Sequence, residues 1–241
     1  MPKLPKWIAD TMENVFSSMA RKVIISDIVY LNPLIKKITF KGDLKNIKFK
    51  IGQALLLRVD DTNFRNYTPS YWDSSAGICE VIFHLHSNGP GSKFITDLKL
   101  NDTLIMGLPR GFDFYKKNYK YHFFFGDETT IGFFESLKQV IEENGQNYIG
   151  VLEVNKETLN SEIKTKCMLD IVPASVNKAE NAILFLNSLD EAVWNLWKTG
   201  VFYLMGNARS IQNFRKALKE KGISSKDIIT QPYWMEGKIG L

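Results

Sequence analysis

Between Arg21 and Leu108 the chain consists of short β-rich runs broken by turn residues, whereas beyond Lys120 strands alternate with helices. This change of texture dictates two architectures in succession. In the first half, strands are expected at residues 23–30, 35–40, 54–59, 67–73, 78–85 and 103–108. They are separated by Asn32-Pro33, Gly42-Asp43, Ser74-Ser75-Ala76-Gly77 and Asn101-Asp102. Short strands with tight turns predict a six-stranded antiparallel barrel. Residues 111–120, with Gly, Asn and nearby lysines and arginines, read as an exposed connection. After it come a continuous apolar strand at 121–125, a helix at 129–143, strands at 148–154, 167–172 and 201–205, and a helix at 210–221. That alternation predicts a parallel sheet with helices on both faces and ligand sites in the βα loops. The expected domains are 1–116 and 117–241. A helix at 7–19, with Ile8, Met12, Val15, Phe16 and Met19 on one face, is expected to pack on the first of them.

Composition removes several alternatives. With 44% hydrophobic residues among 241, the chain is neither disordered nor fibrous. Its 31 basic and 26 acidic residues leave +5, a mild field that suits an anionic ligand, and no basic run is dense enough for a nucleic-acid arm. Cys79 and Cys167 lie far apart in or beside apolar runs, so both are expected as buried free thiols, and they hold neither an iron–sulfur cluster nor zinc. Met1-Pro2-Lys3-Leu4-Pro5-Lys6 lacks a signal-peptide core, and no window approaches ~18 uninterrupted apolar residues. A cytoplasmic protein without membrane insertion, and a monomer, is expected.

Four short motifs carry chemistry. Arg65-Asn66-Tyr67-Thr68-Pro69-Ser70 places a forked cation, a phenol and a hydroxyl on one edge. These are groups that a flavin nucleotide uses, although a Tyr-Thr pair also suits an ordinary strand. Ser87-Asn88-Gly89-Pro90-Gly91-Ser92 lies between a strand and a short helix, where it is either a plain turn or a phosphate-binding helix start. Gly126-Asp127-Glu128-Thr129 and Gly206-Asn207-Ala208-Arg209 each follow a strand and open a helix, and each is either a nucleotide loop or a helix cap. The Gly-x-Gly-x-x-Gly fingerprint is absent. His84 and His86 share a strand face and read as flavin lining or core rather than as metal ligands. No metal site is expected.

In this order and spacing, Arg65-Asn66-Tyr67-Thr68, His86 with Gly89-Pro90-Gly91-Ser92, the two glycine loops, and Tyr233-Trp234 with Gly237 resemble the siderophore-interacting protein family. These are flavin-dependent ferric-siderophore reductases of the ferredoxin–NADP reductase superfamily. The resemblance spans nearly the whole chain. It implies a FAD-binding barrel followed by a nicotinamide-nucleotide domain, with Arg65 at the flavin diphosphate, Tyr67 against the flavin and Thr68 near its N5. It further implies that His86, Gly89, Gly91 and Ser92 complete the FAD site, and that Gly126, Asp127, Glu128, Thr129, Gly206, Asn207 and Arg209 face NADPH or NADH. Arg209 could meet a 2′-phosphate, which favours NADPH, and a small electron-carrier protein is the alternative donor. The chain departs from the family where Ser70 replaces a frequent second arginine and where Met235-Glu236 replaces a common basic residue. The His86–Gly89 segment is also one residue short. Trp234 and Lys238 are the expected contacts to the ferric siderophore.

The implied chemistry belongs to the cofactor, so no protein nucleophile or general base is required. Two other readings stand beside ferric-siderophore reduction. One is a general flavin reductase or electron-transfer protein of the same fold, and the other is a non-enzymatic ferric-chelate-binding protein.

Overall fold

The computed structural model describes residues 20–86 and 89–237. The helix expected at 7–19 and Lys238 lie outside the described residues. The chain divides into two units, one ending at Phe114 and the other beginning at Tyr115.

The first unit contains a seven-stranded antiparallel sheet: β1 (Ala20–Asn32), β2 (Ile35–Gly42), β3 (Leu55–Arg58), β4 (Phe64–Tyr67), β5 (Pro69–Asp73), β6 (Ile78–His84) and β7 (Thr103–Gly107), in the order β4-β3-β7-β1-β2-β6-β5. Alternation sets the inward face, with Val23, Ile25, Ile38, Phe40, Leu55, Leu57, Val81, Phe83 and Met106 in one core. The β1–β2 turn follows from Asn32, whose Oδ1 accepts from Leu34 N at 2.8 Å, and from Pro33. Helix α1 (Pro90–Asp97) lies between β6 and β7 and buries Ile95 in the same core.

The single strand expected at 67–73 is two strands at opposite edges of the sheet, which raises the count from six to seven. Tyr67 ends the ladder with β3 by pairing Leu55, and Pro69 begins the ladder with β6 by pairing Val81. Proline has no N–H and cannot extend the first ladder. Because Tyr67 and Pro69 are two residues apart, the two edges come within about 7 Å at this point. The sheet is therefore curled, and the covalent chain through Thr68 bridges its seam.

The second unit is a five-stranded parallel sheet of β8 (Tyr121–Asp127), β9 (Asn147–Val154), β10 (Asp170–Pro173), β11 (Val201–Asn207) and β12 (Ile228–Trp234), ordered β10-β9-β8-β11-β12. Helices α2 (Ile131–Glu143), α3 (Lys156–Leu159), α4 (Glu180–Ser188), α5 (Glu191–Trp197) and α6 (Ala208–Glu220) connect the strands. The central strands β8 and β11 are buried along nearly their whole length, as a sheet covered on both faces requires. Aromatic rings fill the space between strand and helix, among them Phe125 stacked on Phe214 at 4.1 Å and Phe124 on Phe134 at 4.7 Å.

The strand expected at 167–172 begins later, at Asp170. The short helices α4 and α5 and the edge strand β12 carry no expectation from the sequence reading. In β12, Pro232 interrupts the strand pattern, and the sheet tolerates it because β12 is an edge. The connection at 115–120 is riveted to the start of this sheet. Buried His122 contacts Tyr203 Oη through Nδ1 at 3.3 Å and the Tyr119 carbonyl through Nε2 at 3.0 Å, and Lys116 N donates to Tyr203 Oη at 3.2 Å. Burial lowers the His122 pKa, in keeping with a neutral ring whose Nε2–H donates to the carbonyl.

Candidate functional site

In the barrel unit the site is built at the seam. Strand β4 carries Arg65 and Tyr67, Thr68 is half-buried at the crossing, and α1 approaches from the far side of the sequence. A Cβ built on Gly91 would stand 2.9 Å from Tyr67 Oη and 3.5 Å from Arg65 Cγ. A side chain at position 91 would force the Tyr67 hydroxyl or the start of α1 to shift. The Tyr67 ring meets Phe83 edge to face at 4.7 Å, and burial pushes its phenol up to about 12, the Arg65 charge opposing. Arg65 Nη1 donates to the Phe64 carbonyl at 2.8 Å.

The start of α1 is suited to an anion. Gly89 is the N-cap without a side-chain cap, no acid lies in the first turn, and Pro90 has no N–H. Lys93 N is already bonded to the Gly89 carbonyl at 3.0 Å. Among the described residues, Gly91 N and Ser92 N are the first-turn N–H groups left without an intrahelical acceptor, the kind that an anion takes up. Ser92 Oγ is directed away and donates to the His86 carbonyl at 2.7 Å. The His86 ring is exposed and lies 5.4 Å from that of His84. Ser70 Oγ and Trp72 Nε1, on the strand that leaves the seam, are buried without a hydrogen-bond partner among the described residues. A helix start without an acid or a side-chain cap, with a phenol and a guanidinium beside it, fits a flavin nucleotide.

In the strand–helix unit the order β10-β9-β8-β11-β12 reverses direction between β8 and β11, and their C-terminal ends flank the crevice where such sheets bind ligands. Both glycine loops lie there. Asp127 joins them: its Oδ1 accepts from Thr129 N at 2.9 Å and from the Thr129 hydroxyl, and its Oδ2 accepts from Asn207 N at 2.7 Å and Trp234 Nε1 at 2.9 Å. Gly206, at φ +100°, would bring a Cβ to 2.4 Å from Asp127 Oδ2, so its conformation and its lack of a side chain are both required. Burial raises the Asp127 pKa, with the Thr129 hydroxyl opposing.

Around this hub, buried Glu128 accepts from Asn155 N at 2.6 Å, and Asn207 Oδ1 caps α6 by accepting from Arg209 N at 2.9 Å and Ser210 N at 3.0 Å. The Arg209 side chain is exposed beside this helix start. Beside Asp127 on β9, buried Glu153 accepts through Oε2 from Ser210 Oγ at 3.0 Å and Ala179 N at 3.2 Å, while Oε1 has no hydrogen-bond partner among the described residues. Burial raises its pKa too.

Thus Arg65, Tyr67 and Gly91 are brought together in one unit, and Gly126, Asp127, Thr129, Gly206, Asn207 and Trp234 in the other. Trp234 has its indole N–H on Asp127, and Glu236, standing where a basic residue is common, pairs with Lys178 at 2.7 Å. The sequence reading did not single out Glu153. Its signal was an acid at the end of an otherwise apolar strand.

The comparisons agree with this division. Residues 22–115 match the family model for the oxidoreductase FAD-binding domain, and residues 119–237 match that for siderophore-interacting proteins. No curated protein matches the chain. Among solved structures, the siderophore-interacting protein SipS from Aeromonas hydrophila is similar at a TM-score of 0.74 and 16% identity, over 92% of this chain and 93% of that one. A siderophore utilization protein from T. fusca has a TM-score of 0.72 and 18% identity, over 92% and 95%. A variant ferredoxin–NADP+ reductase from Plasmodium falciparum has 0.70 and 16%, over 88% and 95%. These likenesses establish a ferredoxin-reductase-like fold, and the family models assign residues 22–115 to the oxidoreductase FAD-binding domain and residues 119–237 to the siderophore-interacting protein domain.

Proposed function

We propose that the chain is a flavin-dependent oxidoreductase that passes electrons from NADPH or NADH through FAD to a ferric siderophore, releasing Fe(II). The observation that carries this reading is the meeting of Arg65, Tyr67 and the uncapped start of α1 in a unit that matches a FAD-binding domain. When bound, FAD supplies the step from two-electron hydride chemistry to one-electron reduction of iron. Fe(II) is held less tightly than Fe(III) by hard oxygen ligands, so reduction amounts to release.

The chain's own residues bind and orient. The Gly91 and Ser92 amides and the Arg65 guanidinium hold the diphosphate, Tyr67 lies against the flavin, and Thr68 donates toward N5. In the second unit the loops joined by Asp127 present the start of α6 to the nicotinamide nucleotide, with exposed Arg209 beside it. Residues 1–116 form the flavin domain and 117–241 the nucleotide domain of a cytoplasmic monomer. Trp234 and Lys238 contact the chelate.

The purified protein is expected to be yellow, or to become so with added FAD, to bleach anaerobically with NADPH or NADH, and to recover its colour on addition of a ferric siderophore. A colourless protein that cannot be reconstituted with FAD would remove the enzyme assignment. Equal turnover with free flavin and with chelate would instead favour a general flavin reductase. Ser70, buried where the family often has arginine, supports that second reading, because one cation for an anionic chelate is absent from its place. Thr68→Ala is expected to retain FAD while slowing its reduction on the order of tenfold, the worth of one hydrogen bond. An unchanged rate in stopped-flow measurements would move the hydroxyl away from N5.

A further inference from the structure

Strand β2 carries a lysine where its pattern calls for an apolar residue. Lys36, Ile38 and Phe40 alternate onto the inner face, and Ile38 and Phe40 belong to the barrel core. Lys37, on the other face, reaches Glu80 at 3.3 Å in an ordinary partly exposed ion pair. Lys36 is only 1% exposed. A buried ammonium is costly unless every donor is used. Its Nζ donates to the carbonyls of Ile95 at 2.7 Å, Leu98 at 2.9 Å and Thr96 at 3.3 Å. These are carbonyls at the C-terminal end of α1, where the helix leaves its acceptors unsatisfied.

The helix has no basic residue in its own last turn, so a strand far away in sequence supplies the cation that its C-terminus favours. Asp97 and Asp102 contribute charge that favours the ammonium, and the Tyr30 ring lies 5.8 Å from it. An apolar residue at this position would leave the three carbonyls without this donor and remove the polar tie between β2 and the C-terminal end of α1. With Lys36 at one end and Gly91 against Tyr67 and Arg65 at the other, α1 is fixed at both ends.

We propose that Lys36 is a positioning residue for flavin binding: it sets the place of α1, and so of the Gly91 and Ser92 amides, without touching the ligand. This rests on the reading of the seam as a FAD site. A residue acting through the phosphate end of the flavin affects phosphate-bearing ligands selectively, whereas a residue that merely supports the barrel affects all flavins alike.

The test uses the full-length apoprotein and measures dissociation constants for FAD, FMN and riboflavin by flavin fluorescence, in wild type, Lys36→Met and Lys36→Gln. Lys36→Gln retains a neutral donor for the carbonyls and guards against a methionine variant that fails to fold. FAD and FMN affinities are expected to fall about tenfold in Lys36→Met and less in Lys36→Gln, with riboflavin affinity within about twofold of wild type. A parallel loss for all three ligands, or failure of both variants to fold, overturns the proposal in favour of a structural role. Unchanged FAD binding in both variants overturns it as well and leaves the functional reading intact. A wild-type protein that takes up no FAD overturns both.

Discussion

Asp127→Ala is expected to destabilise the strand–helix unit by about 3–5 kcal/mol, because a buried carboxylate with several donors is the kind of partner whose removal leaves each donor unsatisfied. Thr129 N, the Thr129 hydroxyl, Asn207 N and Trp234 Nε1 all converge on it, from the turn after β8 and the ends of β11 and β12. Alanine removes both acceptor oxygens and opens a void under Gly206, whose close approach to Asp127 leaves no other use for that space. Asp127→Asn keeps the volume and one acceptor but turns an NH₂ toward the remaining donors, so its loss is expected to be intermediate. Chemical denaturation and amide hydrogen exchange over residues 201–207 read this unit directly. A midpoint and exchange pattern for Asp127→Ala equal to wild type would mean that Asp127 does not join the loops.

Arg65→Ala is expected to weaken FAD binding by about 2 kcal/mol or more, on the order of thirtyfold, through loss of a forked, charge-assisted contact to the diphosphate. The stability of the apoprotein is expected to change little, since Arg65 is half-buried on an edge strand and its hydrogen bond goes to its neighbour's carbonyl. Arg65→Lys keeps the charge but not the planar fork, and an intermediate affinity is expected. Equilibrium titration of apoprotein with FAD measures both variants. Unchanged affinity in Arg65→Ala would take Arg65 out of the site.

Much of this arrangement is legible in the sequence because the signals involved are local. Turn residues such as Asn32-Pro33 act within a few positions, and the alternation of Val23 and Ile25 or the apolar run at 121–125 identifies strands and the faces they bury. The glycines near the ends of β8 and β11 are also readable, although both strands run one residue past the glycine before the helix begins. The sequence reading could not separate a strand from a seam at 67–73. Tyr67 and Thr68 have the same β preference in either case, and only the competition between the β3 and β6 edges decides where one ladder stops. Helix α4 was missed for a related reason: Ala-Ile-Leu-Phe-Leu at 182–186 is an apolar run whose period is ambiguous.

For the candidate sites the division is similar. The motif Arg65-Asn66-Tyr67-Thr68 names the groups that could meet a flavin, but not the approach of Gly91 to Tyr67 and Arg65. That contact joins residues more than twenty positions apart. The segments at Gly126 and Gly206 read as either nucleotide loops or helix caps, and the structure fills the missing Cβ positions with Thr130 and Asp127. Asp127 itself read as a residue facing the nucleotide or as a helix cap, and it joins both loops and the last strand.

The sequence by itself determined the succession of an antiparallel β unit and a parallel α/β unit, the positions of most strands, and the residue types able to bind a flavin and a nucleotide. These depend on periodicity and turn chemistry, which act over a few residues. Only the tertiary structure decided that the barrel seam falls at Thr68, that Asp127 joins β8, β11 and β12, and that Lys36 caps α1. Each of these requires groups from distant parts of the chain to satisfy one another's buried hydrogen bonds or ladder edges, and no local pattern records which distant group will do so.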